Sequence, residues 1–267
     1  MRHLFPTVCL TATIVICHAA TAGAETSISF YSGTSDTADA DLRIREPGTD
    51  SDAKFHGVSW RARPFEDSPY YGIRLTYFPT SSSRVGGSFD FTHYKIFAET
   101  ERTLTVDGIW NGVPVSESVP MNRRVQQFEV SHGLNLAALN LIYRWPMRQG
   151  RALPETRWQL YVGAGLLAYV PHAEATINGS FTSADYQFAG FGYQALAGLQ
   201  CRVSRRVSLF AEVKQDGGKL NIDLQGGTQA KARVRTIHAL AGMAVSLGRP
   251  AAGSSSGLQS NHSVVPP

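Results

Sequence analysis

The sequence predicts an all-β fold, an eight-stranded antiparallel up-and-down transmembrane β-barrel of the outer-membrane type. Three observations predict it. The chain opens on an export signal, no later segment is apolar for the roughly 18 residues a helical span needs, and eight segments alternate with period two between an apolar face and a small or polar one.

The signal occupies residues 1–24. Arg2 and His3 form a short basic start, Leu4 to Cys17 is mostly apolar, and Ala22-Gly23-Ala24 supplies the small residues a signal peptidase needs, so cleavage is expected after Ala24. The run is short for a membrane anchor and lacks a basic stop-transfer flank, and Cys17 follows Ile16 where a lipoprotein signal needs a small residue. Loss of the signal removes Cys9 and Cys17. The mature chain keeps Cys201 alone, with no internal disulfide and no zinc thiolate site despite export.

Composition agrees with strands. Of 267 residues, 17% are charged against about a quarter in typical domains, while 25 glycines and 10% aromatics favour close backbone contacts and β structure. The net charge of +4 is small and no Lys/Arg block is present, which sets nucleic acid aside as a partner.

The alternating segments lie near 25–34, 69–78, 86–97, 133–145, 157–171, 186–203, 206–216 and 233–247, several long enough to cross a bilayer as tilted strands of about ten residues. In the second, Tyr71, Ile73, Leu75 and Tyr77 oppose Gly72, Arg74 and Thr76. In the sixth, Phe191, Tyr193, Ala195, Ala197, Leu199 and Cys201 oppose glycines, Gln194, Gln200 and Arg202. In the eighth, Ile237, Ala239, Ala241, Met243, Val245 and Leu247 oppose His238, Gly242 and Ser246. A soluble sandwich would carry abundant charge on its outer face. Here the few charges, Arg74, Asp90, Arg144, Arg202, Glu212 and Lys214, share the small and polar faces, as a narrow polar lumen requires. Tyr71, Tyr77, Phe89, Tyr143, Trp145, Trp158 and Tyr161 are expected to form interfacial girdles.

Connections alternate as well. With the mature N-terminus in the periplasm, the external connections 35–68, 98–132, 172–185 and 217–232 are long loops, and 79–85, 146–156 and 204–205 are short turns. Pro79, Pro146 and Pro154 fall in those turns, where a missing amide donor is harmless. The barrel is thus expected over 25–247, with a disordered periplasmic tail over 248–267 whose Ser/Gly/Ala composition builds no core. The chain lacks the C-terminal aromatic on which such barrels commonly end.

Catalysis on such a barrel belongs at the external rim, where loops and lipid headgroups meet. Asp90-Phe91-Thr92-His93-Tyr94 puts Asp90, Thr92 and Tyr94 on one face of a strand and His93 on the other unless a bulge intervenes. In Pro171-His172-Ala173-Glu174, the imidazole and carboxylate are two residues apart, hence on one face, where they orient a base or supply two ligands to a divalent ion. Spacing does not bring His132 or His238 to them, and His56 and His262 read as exposed. Glu212 and Lys214 are expected to pair with Arg74, Arg144, Arg202 or Asp90 inside the barrel, which argues against a porin. No GxSxG elbow is present, and Ser131-His132-Gly133 shows no partner pattern. Gly163-x-Gly165 and Gly190-x-Gly192 precede no helix, so phosphate-loop readings fail, and no flavin or haem motif appears.

Several motifs recur together. Tyr70-Tyr71-Gly72-Ile73-Arg74-Leu75-Thr76-Tyr77, Asp90-Phe91-Thr92-His93, Gly133-Leu134-Asn135 with Asn140-Leu141-Ile142-Tyr143-Arg144, Tyr161-Val162-Gly163-Ala164-Gly165 running to Pro171-His172-Ala173-Glu174, and Phe210-Ala211-Glu212-Val213-Lys214 appear in that order. In these, over about residues 65–247, the chain resembles the lipid A oxidase family of small outer-membrane barrels. The resemblance implies oxygen-dependent oxidation of the proximal glucosamine of lipid A to 2-aminogluconate, with Asp90, His93, His172 and Glu174 at the motif positions. His172 with Glu174 would then supply the base and His93 with Asp90 would help hold a metal ion; the cofactor is undetermined, a weakly bound divalent ion being the simplest. Lipid A, other outer-membrane lipids and the barrel assembly machinery are the expected partners. The alternative is a non-enzymatic outer-membrane barrel that stiffens the membrane or presents its loops; a channel is disfavoured by the charged, narrow lumen.

Overall fold

The structure, a computed structural model, describes residues 23–65, 69–147 and 156–247. The expected signal peptide, but for Gly23 and Ala24, and the expected tail lie outside them, as does Pro154. Eight strands pair antiparallel in chain order: β1 (Glu25–Thr37), β5 (Tyr71–Phe78), β6 (Val85–Ala98), β9 (Val125–Pro146), β10 (Trp158–Pro171), β13 (Gly190–Arg202), β14 (Val207–Asp223) and β15 (Gln229–Ser246). Pairing of β1 with β15 closes the ring, which leaves no unpaired backbone edge at membrane depth. In register, Ser27 faces Thr76, and the row continues through Ser88, Asn140, Gly165, Gln194, Asp216 and Thr236 to return on β1 at Thr37. That stagger tilts the strands as a closed eight-stranded barrel requires.

The ring is apolar outside and polar inside. Phe30, Ile73, Leu139, Leu141, Leu166, Phe191 and Ile237 are all more than two-fifths exposed on the outer wall, while Arg74, Asp90, Asn140, Gln194, Glu212 and Lys214 are buried within. A water-soluble barrel shows the inverse, so the wall is a lipid-facing surface and the chain is a membrane-spanning barrel of the outer-membrane type. Tyr77, Tyr143 and Trp158 ring the periplasmic end, and Tyr71, Phe191 and Tyr193 the outer end. Tyr161 departs from the expected girdle: in phase with Gln159 and Gly163, it turns inward and its hydroxyl donates to Glu212 Oε2 at 2.8 Å.

The lumen is filled by charges that compensate one another. Arg74 donates both terminal nitrogens to Glu212 at 2.6 and 2.7 Å and a further bond to Asp90 at 2.9 Å. Lys214 reaches Asp90 at 3.2 Å, Thr92 at 2.7 Å and Tyr31 at 3.0 Å. One turn outward, His238 Nε2 lies 2.6 Å from Asp216, which also accepts from Tyr169. The expected inward pairing of Glu212 and Lys214 is present, with Arg74 and Asp90 as the partners.

The long external connections are structured. Seven further strands, β2 (Ala40–Glu46), β3 (Ser51–Val58), β4 (Trp60–Arg61), β7 (Thr103–Trp110), β8 (Val113–Pro120), β11 (Ala173–Ile177) and β12 (Ser180–Ala184), extend the ring outward together with the outer ends of β9, β14 and β15. They enclose an apolar core that includes Leu42, Ile44, Phe55, Trp60, Ile96, Val106, Phe128 and Ile222, with Trp110 edge-on to Phe55 at 5.7 Å. Residues 40–58 fall within the connection 35–68, which the sequence predicts as a long external loop. In Asp41-Leu42-Arg43-Ile44-Arg45 the alternation of charged and apolar residues is the pattern of a strand with one face in water and one in a core. His56 accordingly lies on β3, exposed as expected, with Asp107 as its partner.

Candidate functional site

The candidate site lies on the outer wall, just above the outer aromatic girdle, where β9 departs from its neighbours. On one side Lys95 alone spans the interval that Ser131, His132 and Gly133 occupy on β9, since Tyr94 faces Leu134 and Ile96 faces Val130. On the other side His172 and Ala173 span the interval from Val130 to Gly133, since Pro171 faces Leu134 and Glu174 faces Glu129. β9 therefore carries two more residues than either neighbour at this level, a bulge that re-aims its side chains. Gly133 makes it possible: its φ is 115°, and a Cβ there would sit 2.2 Å from the His93 ring.

The bulge turns His132 onto the face that already carries His172 and Glu174. His132 Nδ1 lies 3.5 Å and His172 Nε2 3.8 Å from the same carboxylate oxygen, Glu174 Oε1. One ligand atom from each of the three residues falls within 4.8 Å of the others. Ser131 Oγ donates to the other carboxylate oxygen at 2.9 Å, Tyr186 donates to the His132 carbonyl at 2.6 Å, and the His172 amide donates to the Gly133 carbonyl at 3.2 Å. The imidazoles of His132 and His172 are 4.6 Å apart between centroids. His132 is more than half exposed, while His172 and Glu174 are about one-fifth exposed.

These donors fit a first-row divalent ion. Tetrahedral metal–ligand bonds of about 2.0–2.2 Å place neighbouring ligand atoms roughly 3.4 Å apart, near the 3.5 and 3.8 Å from the histidines to Glu174 Oε1, and two histidines with one carboxylate leave coordination positions open to the outside. A second feature points the same way: Glu129 stands directly opposite Glu174. Like charges paired across strands are unfavourable, and a cation between them offsets the repulsion.

Ser131 does not complete a hydrolase relay. His132 Nδ1 faces both the serine, at 3.2 Å, and the carboxylate, whereas a relay uses opposite ring nitrogens for the two partners.

Of the four site residues expected from sequence, the structure brings His172 and Glu174 together and adds His132 and Ser131. His93 shares the outward face, lower on the wall; it donates from Nδ1 to Asn135 Oδ1 at 2.8 Å and stacks on Tyr71 at 4.8 Å. Asp90 faces the lumen, bound to Arg74, Lys214 and Tyr31, so the barrel wall separates it from His93 and the two hold no common metal ion. His132 was missed because regular alternation gives no sign of a bulge. The sign that was available is the glycine after Ser131-His132, which permits the positive φ.

No family model matches the chain, and no curated protein matches it. Among solved structures it is similar to Neisserial surface protein A, with 16% identity over 84% of this chain and 98% of that one at a TM-score of 0.40. It is also similar to the outer-membrane protease OmpT of Escherichia coli, at 10% identity, 85% and 97% coverage and a TM-score of 0.42. A third likeness is to Ail, the attachment invasion locus protein of Yersinia pestis, at 11% identity, 82% and 99% coverage and a TM-score of 0.31. At such identities and scores these likenesses carry nothing about chemistry, and the reading of the site rests on its own geometry.

Proposed function

We propose that the protein is an outer-membrane enzyme that uses molecular oxygen to oxidise the proximal glucosamine of lipid A to 2-aminogluconate at the outward rim site. The observation that carries the reading is the convergence of His132, His172 and Glu174 on the outward face of the barrel wall. The motif resemblance supports the choice of substrate, and the donor set supports the reaction class, because two histidines and one carboxylate with open positions suit oxygen chemistry at non-haem iron.

The reaction needs a free anomeric hydroxyl. C1 then gives up its hydrogen and the hydroxyl proton, the two electrons and two protons reduce O2 to H2O2, and the resulting lactone takes up water to become the aminogluconate. A bound divalent ion would supply the redox and Lewis-acid chemistry. His132, His172 and Glu174 would hold it, Ser131 fixes the carboxylate, and Tyr186 fixes the bulge backbone. His93 borders the site on its membrane side, and Asp90 takes no part beyond holding the barrel together.

The test uses purified full-length protein in detergent, loaded with ferrous iron and given 1-dephosphorylated lipid A in air or under argon. The expected result is aminogluconate and peroxide in air alone, lost in His132→Ala, His172→Ala and Glu174→Ala, reduced in His93→Ala and unchanged in His262→Ala. Wild-type protein that leaves the lipid unoxidised would favour the non-enzymatic barrel.

A further inference from the structure

A different part of the outer wall carries a row of cations, three of which, Lys219, Arg233 and Arg235, are in no ion pair among the described residues. Above the girdle, β14 and β15 turn cations outward while Leu220, Ile222, Ala230 and Val234 point into the core. Lys219 stands directly opposite Arg233, and Arg235 lies opposite Gly217. One strand further on, Lys231 stands opposite Arg43, and Arg45 opposite Gln229. All six cations are exposed.

Such an arrangement is unfavourable in isolation. Lys219 with Arg233 and Lys231 with Arg43 are like-charge pairs directly opposite one another, and Arg235, Arg233 and Lys231 follow at every second residue of one strand face. Among the described residues only Arg43 of the six is in an ion pair, with Asp52 at 2.6 Å; the same carboxylate stands directly opposite Arg45 and lies within electrostatic reach of Lys231, which leaves Lys219, Arg233 and Arg235 as the cations in no ion pair. Asp223, on the same outward face, accepts from the Gln229 amide at 3.0 Å. Lys219, Arg233 and Arg235 are therefore placed for an anion from outside the chain.

Their height identifies that anion. The Tyr193 ring lies over Gly217, where an added Cβ would come within 2.6 Å of its hydroxyl, and Arg235 flanks the same glycine from the next strand. Ile237, the next outward residue of β15 toward the periplasm, is more than half exposed on the apolar band. The cations thus begin where the aromatic girdle ends, at the depth of lipid phosphates, and surfaces of this kind attract anionic headgroups.

We propose that the outward face of β14, β15 and β2 binds the phosphorylated headgroup of an outer-leaflet lipid, with Lys219, Arg233 and Arg235 on phosphate oxygens and Lys231 and Arg45 extending the field. Arg233 and Arg235 offer the planar two-nitrogen fork that matches phosphate, and Lys219 a point charge beside it. The site lies on strands other than those carrying His132, His172 and Glu174, so it stands whether or not that cluster is catalytic.

The experiment measures retention of bisphosphorylated lipid A by full-length protein in neutral detergent, by native mass spectrometry and salt titration. The same lipid stripped of phosphate and inorganic phosphate alone are the comparison probes. Wild-type protein is expected to prefer the bisphosphorylated lipid by at least about tenfold, a preference that shrinks as salt rises. The variant Lys219→Gln/Arg233→Gln/Arg235→Gln should lose the preference while keeping heat-modifiable gel migration, and Arg233→Gln alone should weaken it if the triple variant does not fold. Lys54→Gln, which removes a cation already paired with Asp41, should leave it unchanged. Equal retention of the two lipids by wild-type protein, undiminished preference in Arg233→Gln, or full competition by inorganic phosphate at the lipid's concentration would each overturn the proposal.

Discussion

Asp90 shows how much one side chain settles inside the ring. It accepts from Arg74, Lys214, Tyr31 and Gln194 with no exposure to solvent, so it offsets two cations that would otherwise be buried beside unpaired groups. Removing one member of such a network costs about 3–5 kcal/mol, because the partner charge stays buried. Asp90→Asn is therefore expected to lower the urea midpoint of folding while leaving the rim geometry intact, as followed by heat-modifiable migration; an unchanged midpoint would contradict the network's role. On the outer wall the sign reverses. Ala241 faces lipid opposite Ser32 near mid-bilayer, so Ala241→Arg should cost about 2–4 kcal/mol, whereas Ser246, on the lumen phase near the periplasmic mouth, should tolerate arginine. Equal tolerance at both positions would exchange the two faces of β15.

Elements were legible to different depths. All eight ring strands follow from alternation, since a one-residue slip would exchange every lipid-facing and lumen-facing side chain and the register is correspondingly strict. Tyr161 was misplaced because its position near a strand end was weighed above its phase with Gln159 and Gly163. The outer extension was hidden for another reason. Leu42, Ile44, Ala53 and Phe55 alternate with Asp41, Arg43, Lys54 and His56, a pattern foreign to lipid-facing strands and ordinary for strands with one face in water. The bulge on β9 escaped because two extra residues leave no periodic trace, and with it went His132, the third member of the candidate site. The extension's fully buried Phe55 packs on Trp110, so Phe55→Ala should destabilise it by about 3–5 kcal/mol. Limited proteolysis should then cut within residues 40–58 and 103–120 while the membrane ring keeps its heat-modifiable migration; a ring that unfolds together with the extension would show the two to be one cooperative unit.

At the scale of the whole molecule, the lumen is closed by its ion pairs and capped by an apolar core, which leaves the outer wall as the place where chemistry meets a ligand. Two features of that wall lie above the outer aromatic girdle: the His132, His172 and Glu174 cluster on β9 to β11, and the cations of β14, β15 and β2. On the proposed reading an enzyme built this way would take its substrate sideways from the leaflet, with no passage through the barrel, so that the substrate would reach the site already anchored by its acyl chains. The most direct test is mass spectrometry of lipid A from matched Gram-negative strains, grown in air, that lack the protein, carry it, or carry the Glu174→Ala form and supply 1-dephosphorylated lipid A. The account predicts aminogluconate-bearing lipid A only where the unaltered protein is present. Identical lipid A in all three strains, with the protein folded in the outer membrane of the latter two, would contradict it.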